Sequence, residues 1–64
     1  MKWTDVQEIG MALADSMPEV DPIEVRFTDL LAWVMALPGF EDDEKRCNEK
    51  ILEAIQQVWL AEQD

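Results

Sequence analysis

The sequence contains no histidine and only one cysteine, Cys47. A single thiol cannot close an internal disulfide, and without histidine the usual Cys/His zinc sites are excluded too. Basic residues are also scarce: five Lys and Arg stand against fifteen Asp and Glu, a net charge of −10. Such a chain is repelled by polyanions, so nucleic acid is not an expected partner. No apolar run approaches the length of a bilayer span, and the opening MKWTDVQEIG lacks the apolar stretch of a signal peptide. The expectation is a cytoplasmic protein without a membrane partner. There is no phosphate-binding loop, no nucleophile beside a plausible base and no carboxylate pair in an identifiable cleft, so no enzyme is expected.

What is present points to a folded domain. Hydrophobic residues make up 48% of the 64 positions and include three Trp and two Phe, more than a solvated acidic tail requires. Residues 1–64 read as one monomeric domain. A chain this short buries only about 60% of the surface that its unfolded form exposes, and its core rarely nets more than roughly 3–5 kcal/mol. With disulfide and zinc excluded, the remaining aid to stability is good helix packing or association.

One pattern occurs twice: KWTDV at 2–6 and RFTDL at 26–30 each carry a basic residue, an aromatic, Thr, Asp and an aliphatic residue. Each copy precedes a run of helical periodicity. Thr4, with Gln7 three residues on, forms a capping box before Val6, Ile9, Leu13 and Met17, predicting a helix from about Asp5 to Met17 that Pro18 discourages from continuing. DPIE at 21–24 supplies Asp21 as N-cap, Pro22 at the first helical position and Glu24 as box acceptor for a turn or two. Thr28 is the expected cap of a third helix with Leu30, Trp33, Val34 and Leu37 on one face and Leu31 and Met35 at its flanks. LPGF at 37–40 ends it. A last helix starts near Asp43 and carries Ile51, Leu52, Ile55, Val58 and Trp59 to a C-terminus whose final residues fray. Lys2–Trp3 and Arg26–Phe27 precede the caps and are expected extended, side by side as a very short strand pair. The fold class is mainly α: a small three- to four-helix bundle, winged-helix-like, with at most vestigial β structure.

The pieces KWTD, EIG, DP, VRFTDL, Trp33, Phe40 followed by acids, and NEKILEAI with VWL together resemble the IscX family of small acidic proteins of bacterial iron–sulfur cluster assembly. The resemblance spans nearly the whole chain. It departs at Glu44, where the family commonly has proline, at Cys47, where serine is familiar, and at Ala61, where an acid is usual. It implies a winged-helix-like helical fold and an adaptor that docks on the cysteine desulfurase of the pathway and modulates assembly. It also implies weak iron binding with no tightly bound cofactor.

The acids carry the candidate sites. Asp5, Glu8 and Asp15 project from the first helix opposite its apolar face, which is read either as a solvated exterior or as an anionic docking surface. If the two TD motifs bring their helix starts together, Asp5, Glu8 and Asp29 share one region, with Asp21 and Glu24 at its border. These six residues are the expected partner-binding set. Asp5, Glu8 and Asp29 are also the candidate ligands for weakly held Fe(II), which oxygen donors suit with little selectivity. EDDE at 41–44 reads either as capping and solubility or as loose carboxylates that hold a dication such as Fe(II) weakly. It fails as an EF-hand, because counting from Asp42 puts Arg46 and Cys47 where a ligand and the glycine belong. Cys47 lies one turn before Ile51 and reads as a small hydrophobe, since one thiol cannot hold a cluster alone. The three Trp read as core. The alternative to an assembly adaptor is an acidic DNA mimic, or another interaction module for a basic partner.

Overall fold

In the computed structural model, which describes residues 1–63, three α-helices carry the fold: α1 (Val6–Ser16), α2 (Phe27–Met35) and α3 (Glu49–Glu62). Short 3-10 turns lie at Pro22–Glu24 and Glu44–Arg46. The mainly helical class is as expected. No strand occurs among the described residues, so the vestigial β pairing of Lys2–Trp3 with Arg26–Phe27 does not form. Among the same residues, no helix is long and apolar enough to cross a membrane. Of the C-terminal residues expected to fray, Asp64 lies outside the described ones.

The two TD motifs are used differently. Asp5, not Thr4, occupies the N-cap of α1, and no side chain caps the helix start. The Asp5 carboxylate accepts the Lys2 N–H at 2.8 Å while the Asp5 N–H donates to the Lys2 carbonyl at 2.9 Å, closing a turn ahead of the helix. In the second copy the helix has already begun at Phe27, so Thr28 and Asp29 lie inside its first turn and Arg26 holds the cap position without a side-chain bond. Asp21 does cap its turn, accepting the Ile23 N–H at 3.1 Å with Pro22 at the first position. The helix expected from Asp43 is split in two. Asp43 caps only the 3-10 turn, and Asn48 starts α3 by accepting the Ile51 N–H at 2.9 Å. Asn is among the strongest N-cap residues, and its side chain satisfies a donor that the helix itself cannot.

LPGF forms a β-turn in which the Phe40 N–H donates to the Leu37 carbonyl at 3.1 Å. Pro38 and Gly39 take its central positions, and Gly39 has φ +81°, the conformation that a type II turn reserves for glycine. The turn returns the chain beside the N-terminal segment. The Met1 amine donates to the Gly39 carbonyl at 2.6 Å, and the Glu41 N–H donates to the Met1 carbonyl at 2.9 Å. Trp3 is then gripped at both ends: its backbone N–H donates to Asp42 Oδ2 at 3.0 Å and its indole Nε1 donates to the Asp43 carbonyl at 2.8 Å. Phe40 packs edge-on against the Trp3 ring at 4.7 Å. A tryptophan can be fully buried without penalty when its N–H is satisfied in this way.

The core comprises Trp3, Ile9 and Leu13 of α1, Leu30 and Val34 of α2, Leu37, and Leu52, Ile55 and Trp59 of α3. Leu31, on the flank of α2, packs partly against it, whereas Met35 stays exposed. Trp33 is half-buried and meets Trp59 edge to face at 6.4 Å. Trp59 itself is buried with its Nε1 lacking a hydrogen-bond partner among the described residues.

α1 packs chiefly on α3, and one residue permits the approach. A β-carbon built on Gly10 would lie 2.6 Å from the β-carbon of Val58 and 3.0 Å from the Trp59 backbone nitrogen, closer still to a Val58 methyl. Neither of the first two atoms is the end of a flexible side chain. Gly10→Ala therefore sets a helix-propensity gain of about 1 kcal/mol against an overpacking penalty of about 1–3 kcal/mol. The penalty is expected to win by up to about 2 kcal/mol, lowering Tm by roughly 4–8 °C for each kcal/mol of the difference. A rise in Tm by differential scanning calorimetry would contradict this.

Asp42 generates a second test. Its pKa lies below the ordinary carboxylate value, first because of the Trp3 N–H, then the Asp43 N–H at 2.7 Å, with smaller help from Arg46 and Lys2. A carboxylate whose pKa falls on folding stabilises the fold at pH values above about 3.9, the unfolded value, and loses that contribution as the pH drops through the folded one. Asp42→Asn should accordingly melt below wild type at neutral pH, and the two melting curves should converge as the pH falls through the lowered folded pKa of Asp42. A gap that persists unchanged into acid would assign the effect to shape rather than charge.

Candidate functional site

With Ile9, Gly10 and Leu13 turned inward, α1 presents Gln7, Glu8, Met11 and Asp15 to solvent. Along this surface run three shallow depressions that join end to end. The first has Val6 and Met11 as its apolar part and Asp5 and Glu8 at its rim. The second, between α1 and the end of α3, is lined by Met11, Ala12, Ala14, Asp15 and Glu62. The third continues from Ala14 and Glu62 to Pro18, Glu19, Val20 and Asp21. Shared residues make them one furrow: Met11 joins the first to the second, and Ala14 and Glu62 join the second to the third. None of the five Lys and Arg residues lines it.

The fold fixes this surface from both sides. Gly10 seats α1 against Val58 and Trp59, which brings the last turns of α1 and α3 to the same end of the furrow. Gln56 of α3 and Gln63 at its C-cap hold the connecting loop: Gln56 Nε2 donates to the Pro22 carbonyl at 2.8 Å, and Gln63 Nε2 to the Val20 carbonyl at 2.7 Å. Asp21 is thereby carried to the furrow's far end.

The electrostatics are one-sided. Glu8 stands in the first turn of α1, where the helix dipole favours an acid. Asp15 and Glu62 stand in the last turns of α1 and α3, where the unpaired carbonyls already carry partial negative charge and no basic residue offsets it. Acids placed there work against stability, and the arrangement is complementary to a cation.

Of the six residues expected to bind a partner, Asp5, Glu8, Asp15 and Asp21 come together on the furrow. Glu24 and Asp29 do not line it; Asp29 lies on α2, whose main packing is against α3. Glu19 and Glu62 belong to the surface and were missed. Helical periodicity places Glu62 on the outside of α3, but nothing in the sequence tells that α3 ends beside α1. The proposed ligand trio Asp5, Glu8 and Asp29 is not assembled: among the described residues, no group of three or more His, Cys, Asp or Glu is arranged to hold a metal ion. The EDDE segment is partly consumed by structure, Asp42 in holding Trp3 and Asp43 in capping a turn. Cys47 is half-buried against the core with its Sγ 3.7 Å from the Asn48 carbonyl, and desolvation raises its pKa. It is a packed thiol, as its spacing from Ile51 suggests.

Comparison with known proteins places this surface in context. The chain is similar to an uncharacterized protein of Pseudomonas aeruginosa, 56% identical over 64 residues that cover 100% of this chain and 97% of the relative. A protein family described as iron-sulphur cluster assembly matches residues 1–64, the whole length. The helical fold and the resemblance carried by KWTD, VRFTDL and NEKILEAI agree with that match, and the chain belongs to this iron–sulphur cluster assembly family, the IscX family.

Proposed function

We propose that the chain is a non-catalytic, cytoplasmic adaptor of iron–sulphur cluster assembly that docks its acidic furrow on a basic patch of the pathway's cysteine desulfurase. One observation carries the reading: Asp5, Glu8, Asp15, Asp21, Glu19 and Glu62 line a continuous surface without a single basic residue. A one-signed field of this kind steers an oppositely charged partner and raises its association rate more than it tightens the final complex. The helices act as a rigid frame for the charges, in the winged-helix-like order that the resemblance implies. Family membership favours this role over that of a DNA mimic. Glu24 and Asp29 extend the negative field from outside the furrow.

Weak iron(II) binding belongs to the same reading. Oxygen donors taken singly or in pairs hold a dication loosely and with little selectivity. Iron(II) is expected to be removed by ordinary chelators and displaced by manganese or calcium, and X-ray absorption should show oxygen ligands. A tight site with sulphur or nitrogen coordination would contradict this part of the proposal.

The docking reading is tested by charge reversal. Glu8 is exposed on α1, so Glu8→Lys should leave the circular dichroism spectrum unchanged. In stopped-flow titration against the purified desulfurase it should slow association and flatten the dependence on salt, since exposed charges are screened beyond about 8 Å at physiological ionic strength. Unchanged association by a folded Glu8→Lys variant would move the docking surface elsewhere. Glu62→Lys gives a sharper signature, because the two readouts move in opposite directions. Replacing an acid by a base in the last turn of α3 should raise stability by about 0.3–1 kcal/mol while weakening desulfurase binding. A variant that is more stable and binds equally well would remove Glu62 from the surface.

A further inference from the structure

The furrow contains one exposed large hydrophobic residue, which the charge argument leaves unused. Met11 is 49% exposed, and it sits where the first two depressions meet, between Asp5 and Glu8 on one side and Asp15 and Glu62 on the other. An isolated exposed hydrophobe on a protein surface ordinarily needs no explanation. Here the position is unusual, because acids surround it on both sides and it forms the shared wall of two depressions that otherwise offer only the small apolar surfaces of Val6, Ala12 and Ala14. Methionine is unbranched and polarisable, and it adapts its shape to a partner at low cost.

We infer that Met11 is the short-range anchor of the docking surface, receiving an apolar side chain from a segment of the partner that is flanked by Lys or Arg. The inference rests on the docking reading above and adds to it the residue that determines how long the complex lasts. The acidic rim selects the occupant. A second copy of this chain would bring Asp5, Glu8, Asp15 and Glu62 against their own equivalents, so self-association through the same face is opposed by charge. A basic segment instead neutralises the rim and the carbonyl ends of α1 and α3. Once the rim is neutralised, the apolar contact is shielded from water. Interfaces commonly divide the work in this way, with a buried central anchor governing dissociation and a polar rim governing encounter.

The division is measurable with Met11→Gln. Glutamine matches methionine in length and nearly in helix propensity, so α1 is preserved, and circular dichroism checks this directly. Surface plasmon resonance against the purified cysteine desulfurase at two salt concentrations supplies both rate constants. The expected result is a dissociation rate about tenfold faster, the equivalent of losing most of a buried methionine contact, with the association rate and its salt dependence unchanged. Glu8→Lys, run alongside, should show the converse pattern. Equal dissociation rates for wild type and Met11→Gln, with wild type binding normally, would overturn the anchor and leave the docking reading intact. Failure of wild type to bind the desulfurase would overturn both. Concentration-dependent dimerisation of wild type in analytical ultracentrifugation, abolished by Met11→Gln, would reassign the residue to a contact between copies and overturn the inference as well.

Discussion

The contact on which the architecture depends is the approach of α1 to α3 at Gly10, where a single hydrogen replaces the side chain that any other residue would place against Val58. Everything on the furrow follows from that closeness. Ile9 and Leu13 flank the glycine and are fully buried because the helices meet there, and the residues that remain outside include the acids and Met11. The contact also fixes which end of α3 lies beside which end of α1, and so which carboxylates become neighbours. In a domain with few core residues, no second layer of packing exists to absorb an error at this point.

The carboxylates divide into two working populations. Asp5, Asp21, Asp42 and Asp43 each accept a backbone N–H and hold a turn or a cap. The short aspartate side chain suits this role because it reaches the backbone a few residues away without a large loss of rotamer freedom. Glu8, Glu19 and Glu62, with Asp15, take part in no such bond among the described residues and contribute only their field. The two populations overlap on the furrow at Asp5 and Asp21, so a substitution at either one mixes folding with recognition.

Where the signal was local and periodic, the sequence was a good guide. The inward residues of all three helices, the LPGF turn and the DPIE cap were legible because each depends on neighbours within a turn of helix or fewer. The KWTD and RFTD pair misled for the same reason. As isolated strings they carry the same capping chemistry, but in the first the aspartate closes a turn with Lys2, while in the second the helix begins before the threonine. What decides between the outcomes is the tertiary setting, above all the anchoring of Trp3 by Asp42 and Asp43, some forty residues on in the chain. The candidate site was legible in part for a similar reason. Acids on one face of α1 can be read from helical spacing, whereas Glu62 and Glu19 join them only because α3 and the loop before Asp21 fold back beside that helix.

The principal helix pair is formed by the first and last α-helices, with α2 and both 3-10 turns between them in the chain. During synthesis from the N-terminus, α1 therefore emerges with its apolar stripe and its glycine notch facing nothing. A lone helix of that length is marginal in water. Ile9 and Leu13 lack their main packing partner until α3 is available, and the loop entropy between the two helices has to be overcome before their contact returns any of it. Folding should consequently be a late, all-or-none event rather than a stepwise one, and the anionic surface comes into being only with it: a truncated or stalled chain carries every acid of α1 and none of the surface that it shares with α3.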